Sequence, residues 1–260
     1  MTGIITLPLV PLRVIDSEQS EMFSQLLFGE FVEILEMNDK WLYVRNFMDD
    51  CTGWVDAKMI QRLSSEEEKR LLDSPFTCLE SSLIQCVKPI SNQIMYLPGG
   101  CYFPSYNYGR CIIGDEIFQI NEIFPAFSDV PLSNRIKNFA MQFLNAPYLW
   151  GGKSIMGMDS SGLVQVVYAM AGIQLSRFVS QQVEFGVVID FLSEAQSGDL
   201  VFFENKDHTI VHVGILLNSS QIIHVSGSVR IDMLDSEGII SAKTGEYTHT
   251  LRVVKRVIQS

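Results

Sequence analysis

The sequence predicts an α+β chain, in which a C-terminal domain of helices packed on an antiparallel sheet follows two small all-β barrels. Three observations predict it. Up to about residue 130 the apolar residues fall in short β-rich runs broken by turn residues, as in 31–37 and 41–47 around Asn38-Asp39-Lys40. From residue 133 they recur at helical spacing, first as Ile136, Phe139, Ala140, Phe143 and Leu144, then as Leu163, Val166, Val167 and Met170. After Gly198 they return to strand-like runs, at 198–203, 210–217, 221–226 and 251–258. Helices followed by strands are the pattern of an α+β domain with its own antiparallel sheet.

The first barrel spans residues 1–65. Its order of Leu27-Phe28-Gly29-Glu30, a strand, Trp41, and then Gly53-Trp54-Val55 looks like the bacterial SH3-like domain. Residues 66–75 are expected to be a charged, solvated link. Residues 76–130 repeat the style, and 112–116 (Ile-Ile-Gly-Asp-Glu) echo 26–30, so a second SH3-like barrel is expected. Its aromatic run Tyr102, Phe103, Tyr106 and Tyr108 reads as packing, with a binding groove as the sharper alternative.

Residues 131–260 make the third domain. Ser133 is a plausible cap for its first helix, and Asn145 and Pro147 stop that helix. The stretch 146–165 follows: Pro147, Gly151 and Gly152 break the chain, and Asp159-Ser160-Ser161-Gly162 open the second helix. Gly172 fits the left-handed residue just past its end. Ser160 therefore lies in the first turn, where the positive helix end helps a nucleophile.

His212 and His224 sit on consecutive strands of one hairpin, each in an apolar run where an unpartnered imidazole is costly. They share a sheet face only if paired residue numbers sum to an even value, which a three-residue loop at 218–220 gives. His212 then reads as a general base and His224 as the group that holds its tautomer. His208 and His249, in polar surroundings, read as bystanders.

Five motifs in order carry a resemblance: Tyr148-x-x-Gly151-Gly152, Asp159-Ser160-Ser161-Gly162, Gly198-Asp199-Leu200 with Phe203, His212-Val213-Gly214, and His224. This set, over roughly 131–257, resembles the NlpC/p60 family of cell-wall cysteine peptidases. The resemblance implies a papain-like NlpC/p60 catalytic domain behind two SH3-like barrels. It implies that Ser160 stands at the position of the nucleophilic Cys, with His212 as base, His224 orienting it, and Tyr148 beside the nucleophile on the oxyanion side. Asp159 and Ser161 are then expected to bind the substrate's amino terminus. Trp150 is a packing residue or a wall of the cleft. In the branch with two SH3-like domains an acid and a Tyr of the first domain help close the amine pocket. Glu21 matches the acid, while Cys51 and Thr52 stand where the Tyr is expected. An Arg follows a similar helix in the family, and Arg177 matches it.

The implied substrate is a murein tri- or tetrapeptide with a free L-Ala amino terminus, cut between γ-D-Glu and the diamino acid. Ser160 leaves two readings side by side. One is a hydrolase weakened by loss of its thiol, whether the Ser is native or introduced. The other is a wall-peptide binding protein or a weak serine hydrolase.

Composition bounds these readings. The 260-residue chain carries a formal net charge of −11, which argues against nucleic acid. No apolar run is long enough to span a bilayer. The first 14 residues lack a secretory signal pattern, so the expected location is cytoplasmic, or exported with a leader removed. Cys51, Cys78, Cys86, Cys101 and Cys111 form no CxxC pair and all precede the third domain. They read as reduced thiols, and the sequence implies no metal and no cofactor.

Overall fold

The computed structural model describes residues 1–121 and 130–258. Contacts divide the chain into two units, Met1–Ala126 and Phe127–Ser260. The expected end of the second barrel, residue 130, adjoins residues 122–129, which lie outside the described residues.

In the first unit, β1 (Thr2–Ile4), β2 (Leu9–Arg13), β3 (Met22–Leu27), β4 (Phe31–Asn38), β5 (Trp41–Asn46), β6 (Thr52–Asp56) and β7 (Gln61–Arg62) form one antiparallel sheet in the order β3-β2-β6-β5-β4-β1-β7. Its core holds Ile5, Val10, Leu12, Leu26, Val32, Val44 and Val55. Within the charged link, residues 65–72 are helical and largely solvent-facing. They form α1 (Ser65–Leu72), with a Ser64–Glu67 capping box at its start, and its Leu71 is fully buried. Leu71 supplies the apolar contact that the charge run conceals.

The strands β8 (Phe76–Cys78), β9 (Leu83–Lys88), β10 (Gln93–Pro98), β11 (Tyr102–Pro104), β12 (Arg110–Ile113) and β13 (Glu116–Ile120) make a four-stranded sheet, β10-β9-β13-β12, and a β8–β11 pair. The echo between 26–30 and 112–116 marks the same device twice. Gly29 and Gly114, both at positive φ, turn the chain between β3 and β4 and between β12 and β13. The first sheet and this second group are not independent. Phe28 is fully buried, with its ring 5.3 Å from Phe103 and 4.9 Å from Phe118. Phe28 O accepts from Tyr102 N at 2.9 Å. Within the aromatic run Phe103 is core, whereas Tyr108 is almost wholly exposed.

The second unit opens with α2 (Leu132–Met141), which buries Ile136, Phe139 and Ala140. Pro131, not Ser133, occupies its N-cap, and no side chain caps it. A short hairpin, β14 (Lys153–Ser154) and β15 (Gly157–Met158), leads into α3 (Ser160–Met170). Helix α3 is apolar almost all round and correspondingly buried. Gly172 ends it at φ 85°, with Ile173 N donating to Tyr168 O at 2.8 Å, as expected of a left-handed cap. The four-residue α4 (Val179–Gln182) follows.

The sheet is closed rather than open. Its strands are β16 (Val187–Ile189), β17 (Leu200–Glu204), β18 (Ile210–Asn218), β19 (Gln221–Ser226), β20 (Ser228–Leu234), β21 (Gly238–Ile240) and β22 (Tyr247–Arg256), in the order β16-β22-β17-β18-β19-β20-β21. A further β21–β22 pairing closes six of them into a barrel and leaves β16 outside. Val201, Phe203, Leu216, Ile222, Leu234, Ile239 and Val254 fill the interior. A barrel this narrow holds only side chains. Helices α2, α3 and α4 therefore lie on its outer wall against β18, over the buried Val213 and Ile215.

Candidate active site

The site is built from the start of α3 and from one side of the barrel strands. Asp159 caps α3, its Oδ1 accepting from Gly162 N at 2.7 Å, while its Oδ2 accepts from Gly151 N at 2.9 Å. Arg177, only 1% exposed, donates from Nη2 to Asp159 Oδ2 at 2.5 Å and from Nη1 to Oδ1 at 2.9 Å. Arg177 Nη1 also reaches Ser161 Oγ at 2.8 Å, and that hydroxyl donates to Asp159 Oδ1 at 3.2 Å. Gln182, fully buried, donates to Ser161 O at 3.0 Å. Asp159 and Ser161, the residues expected to bind the substrate's amino terminus, are thus tied to Arg177 in this structure. The carboxylate is already neutralised by a guanidinium, and the hydroxyl is committed on both sides, so together they hold the start of α3. Backbone packs as tightly there, because a Cβ on Gly162 would collide with the Gly152 carbonyl.

Ser160 is the first residue of α3 and half-buried. Tyr148 and Trp150 are exposed, at 47% and 58%, so Trp150 is not a packing residue of the core. Glu21 is exposed just ahead of β3 in the first unit.

The histidine pair has the expected face but not the expected turn. Gly214 lies opposite His224, Ile215 opposite Ile223 and Leu216 opposite Ile222, all even sums. The register then shifts, and Asn218 faces Gln221. The turn is therefore the two residues Ser219 and Ser220, and an extra residue at Leu217 restores the parity that such a turn alone would reverse. His212 and His224 project on the side of Leu216 and Ile222, which line the barrel core. Their rings meet, with His212 Nε2 and His224 Nδ1 3.0 Å apart.

Two residues were missed from the sequence. Asp232 on β20 is 2% exposed, and its Oδ2 lies 2.9 Å from His224 Nε2. Its Oδ1 accepts from Arg230 Nη2 and Ala242 N, each at 2.8 Å. Burial works to raise its pKa, but these donors and the imidazole together hold it below the usual carboxylate value. No sequence signal beyond an Asp two residues after Arg230 marks it. His249, read as a bystander, sits on β22 with its ring stacked on that of His212 at 4.2 Å and 27°. The pairing of β21 with β22, Ile239 opposite His249, brings it there. His208 is exposed and 2.9 Å from Glu204 Oε1, apart from this group.

These contacts settle the tautomers. Ionised Asp232 accepts a hydrogen bond from His224 Nε2–H, so His224 Nδ1 is an acceptor. It accepts from His212 Nε2–H, which leaves the lone pair of His212 on Nδ1. Burial, then the neighbouring His249 and His224, push the His212 pKa well below its ordinary value. His224 is lowered as well, burial outweighing Asp232. His212 is thus a neutral base with one nitrogen occupied and the other open to take a proton. Among the described residues no hydrogen bond joins Ser160 to either imidazole.

The profile of the NlpC/P60 family matches residues 145–248, and that of the bacterial dipeptidyl-peptidase SH3 domain matches residues 14–60. The chain carries an NlpC/P60 domain. This domain is of the cysteine-peptidase type and stands behind an N-terminal SH3-like domain. A gamma-D-glutamyl-L-lysine dipeptidyl-peptidase of Bacillus cereus (strain ATCC 10987 / NRS 248) is 32% identical over 120 residues, 44% of this chain and 36% of that relative's length. Dipeptidyl-peptidase 6 of Lysinibacillus sphaericus is 23% identical over 255 residues, 84% of this chain and 86% of that protein. A crystal structure of an NlpC/P60 family protein from Bacillus cereus ATCC 10987 shares the fold over the whole of both chains, with a TM-score of 0.83 at 18% identity.

Proposed function

We propose that this protein is a cell-wall peptide hydrolase that cleaves between γ-D-Glu and the diamino acid of a murein tri- or tetrapeptide with a free L-Ala amino terminus. The Asp232–His224–His212 chain carries this reading, because it presents a neutral imidazole with a fixed tautomer inside a peptidase domain. Relatives named for γ-D-glutamyl-L-lysine dipeptidyl-peptidase activity support the substrate class. A peptide with a free amino terminus is a wall fragment, so the role proposed is recycling of such fragments in the cytoplasm.

Ser160 defines the step at risk. A thiol gives up its proton to become a thiolate, whereas a hydroxyl must lose its proton as it attacks. Turnover with Ser160 is expected to be lower than with Cys by about 10⁴-fold or more. The same residue favours a second reading, that the protein binds wall peptides without cutting them.

One assay separates the two. The chain and its Ser160→Cys variant are incubated with L-Ala-γ-D-Glu-diaminopimelate, and products are read by mass spectrometry. Release of L-Ala-γ-D-Glu by the Cys variant alone supports the hydrolase. Binding by both forms with no cleavage by either would establish the binding protein instead. Comparable cleavage by the Ser form would refute the argument from the thiolate.

A further inference from the structure

The cluster of His212, His224 and His249 is larger than a proton relay requires. Each imidazole offers one nitrogen, and these nitrogens lie within 4.8 Å of one another. The three residues come from β18, β19 and β22, so the closed barrel assembles a set that no sequence motif shows. The far nitrogens of two of them are held. His224 Nε2 is on Asp232, and His249 Nδ1 is 2.9 Å from Thr248 Oγ1. A ligating histidine has the same arrangement, with its second nitrogen on a carboxylate or hydroxyl that fixes tautomer and ring plane. His224 Nδ1 and His212 Nε2 face one another, and one nitrogen of His249 lies within 4.8 Å of its counterparts.

We propose that His212, His224 and His249 form a binding site for a zinc-like divalent cation, with Asp232 supporting it from behind His224. Three imidazoles are a donor set that zinc accepts, with a fourth position for water. Zinc–nitrogen bonds of about 2.0–2.1 Å in tetrahedral geometry set ligand nitrogens about 3.3–3.4 Å apart. His212 Nε2 and His224 Nδ1 are 3.0 Å apart, so the pair opens by only a few tenths of an ångström. The ion replaces the proton shared by these two nitrogens. That proton moves to His212 Nδ1, and His212 stays neutral but becomes a donor where the proposed hydrolysis needs an acceptor. Metal and catalytic base are therefore mutually exclusive states of one histidine.

The test reads binding, not hydrolysis, so it stands or falls apart from the proposed activity. The full chain is stripped with a chelator and titrated with Zn2+ alone by calorimetry, and with Co2+ alone by visible absorption. One ion per chain and a tetrahedral Co2+ spectrum are expected. Asp232→Asn is expected to weaken binding by about 10–100-fold, and His249→Ala by at least that much. His208→Ala, on an exposed residue, is expected to leave it unchanged. Nitrogen-15 spectra of the unaltered protein guard against a variant that does not fold. Zinc should move His212 Nε2 and His224 Nδ1 and place the His212 proton on Nδ1. Absence of binding at micromolar metal, undiminished binding in His249→Ala, or imidazole nitrogens that do not shift would each overturn the proposal.

Discussion

Replacing Arg177 by Met tests what holds the start of α3. The guanidinium is buried and makes two bonds to the Asp159 carboxylate and one to Ser161 Oγ. Met keeps much of the side-chain volume, so the main loss is the charge. Removing one partner of a buried ion pair costs about 3–5 kcal/mol, because the other charge remains in the interior unpaired. Asp159→Asn should cost a similar amount for the mirror-image reason. If the two losses were independent, the double variant would lose about 6–10 kcal/mol, twice the single cost. With both charges removed no uncompensated ion remains, and the expected loss is only about that of one single variant. The assay is urea unfolding, with the second unit followed by the amide signals of α3 and of the barrel strands, on all four members of the cycle. Amide exchange at Gly162 and Leu163 should quicken in both single variants, since Asp159 caps the helix at Gly162. An Arg177→Met loss below about 1 kcal/mol, or additivity within about 0.5 kcal/mol, would refute the reasoning.

Two further outcomes follow from the same geometry. His212, His224 and His249 all have folded pKa values below 6.5, that of His249 being about 4. The unfolded chain therefore binds more protons than the folded one below pH 6.5, and stability falls as pH drops, by up to about 1.4 kcal/mol per pH unit for each fully buried imidazole. The share of His249 is smaller, because it is partly exposed, and it ends near pH 4. Urea midpoints that stay flat between pH 7 and pH 5 would contradict this. Separately, Gly162→Ala drives a Cβ into the backbone carbonyl of Gly152 and is expected to cost about 1–3 kcal/mol. A melting temperature equal to that of the parent would show that the loop yields freely.

Local chemistry made part of this protein legible in its sequence. Asp159 before Ser160 and Gly172 after Met170 mark the two ends of α3, because orphan N–H groups need an acceptor and a left-handed residue needs no Cβ. The apolar runs around His212 and His224 marked each as a buried strand position, because side chains on a strand repeat every two residues. Periodicity also separated the helical stripe at Ile136–Ala140 from the strands after Gly198. None of these readings requires knowing what lies across the fold.

Everything that completes the site was decided by pairing between distant segments. The extra residue at Leu217 corrects a two-residue turn that by itself would have split the histidines, and it is visible only in the β18–β19 register. The β21–β22 pairing closes the barrel and carries His249 onto His212, although its neighbours Thr248 and Thr250 give it a polar, loop-like context. Asp232 has no mark in the sequence until β20 sets it behind His224, and Arg177 acquires its partner only when the loop after α3 sets it against Asp159. Caps and periods are written in neighbouring residues and survive in any fold that keeps the element. The partner of a buried charge is chosen by burial itself, which only the assembled structure supplies.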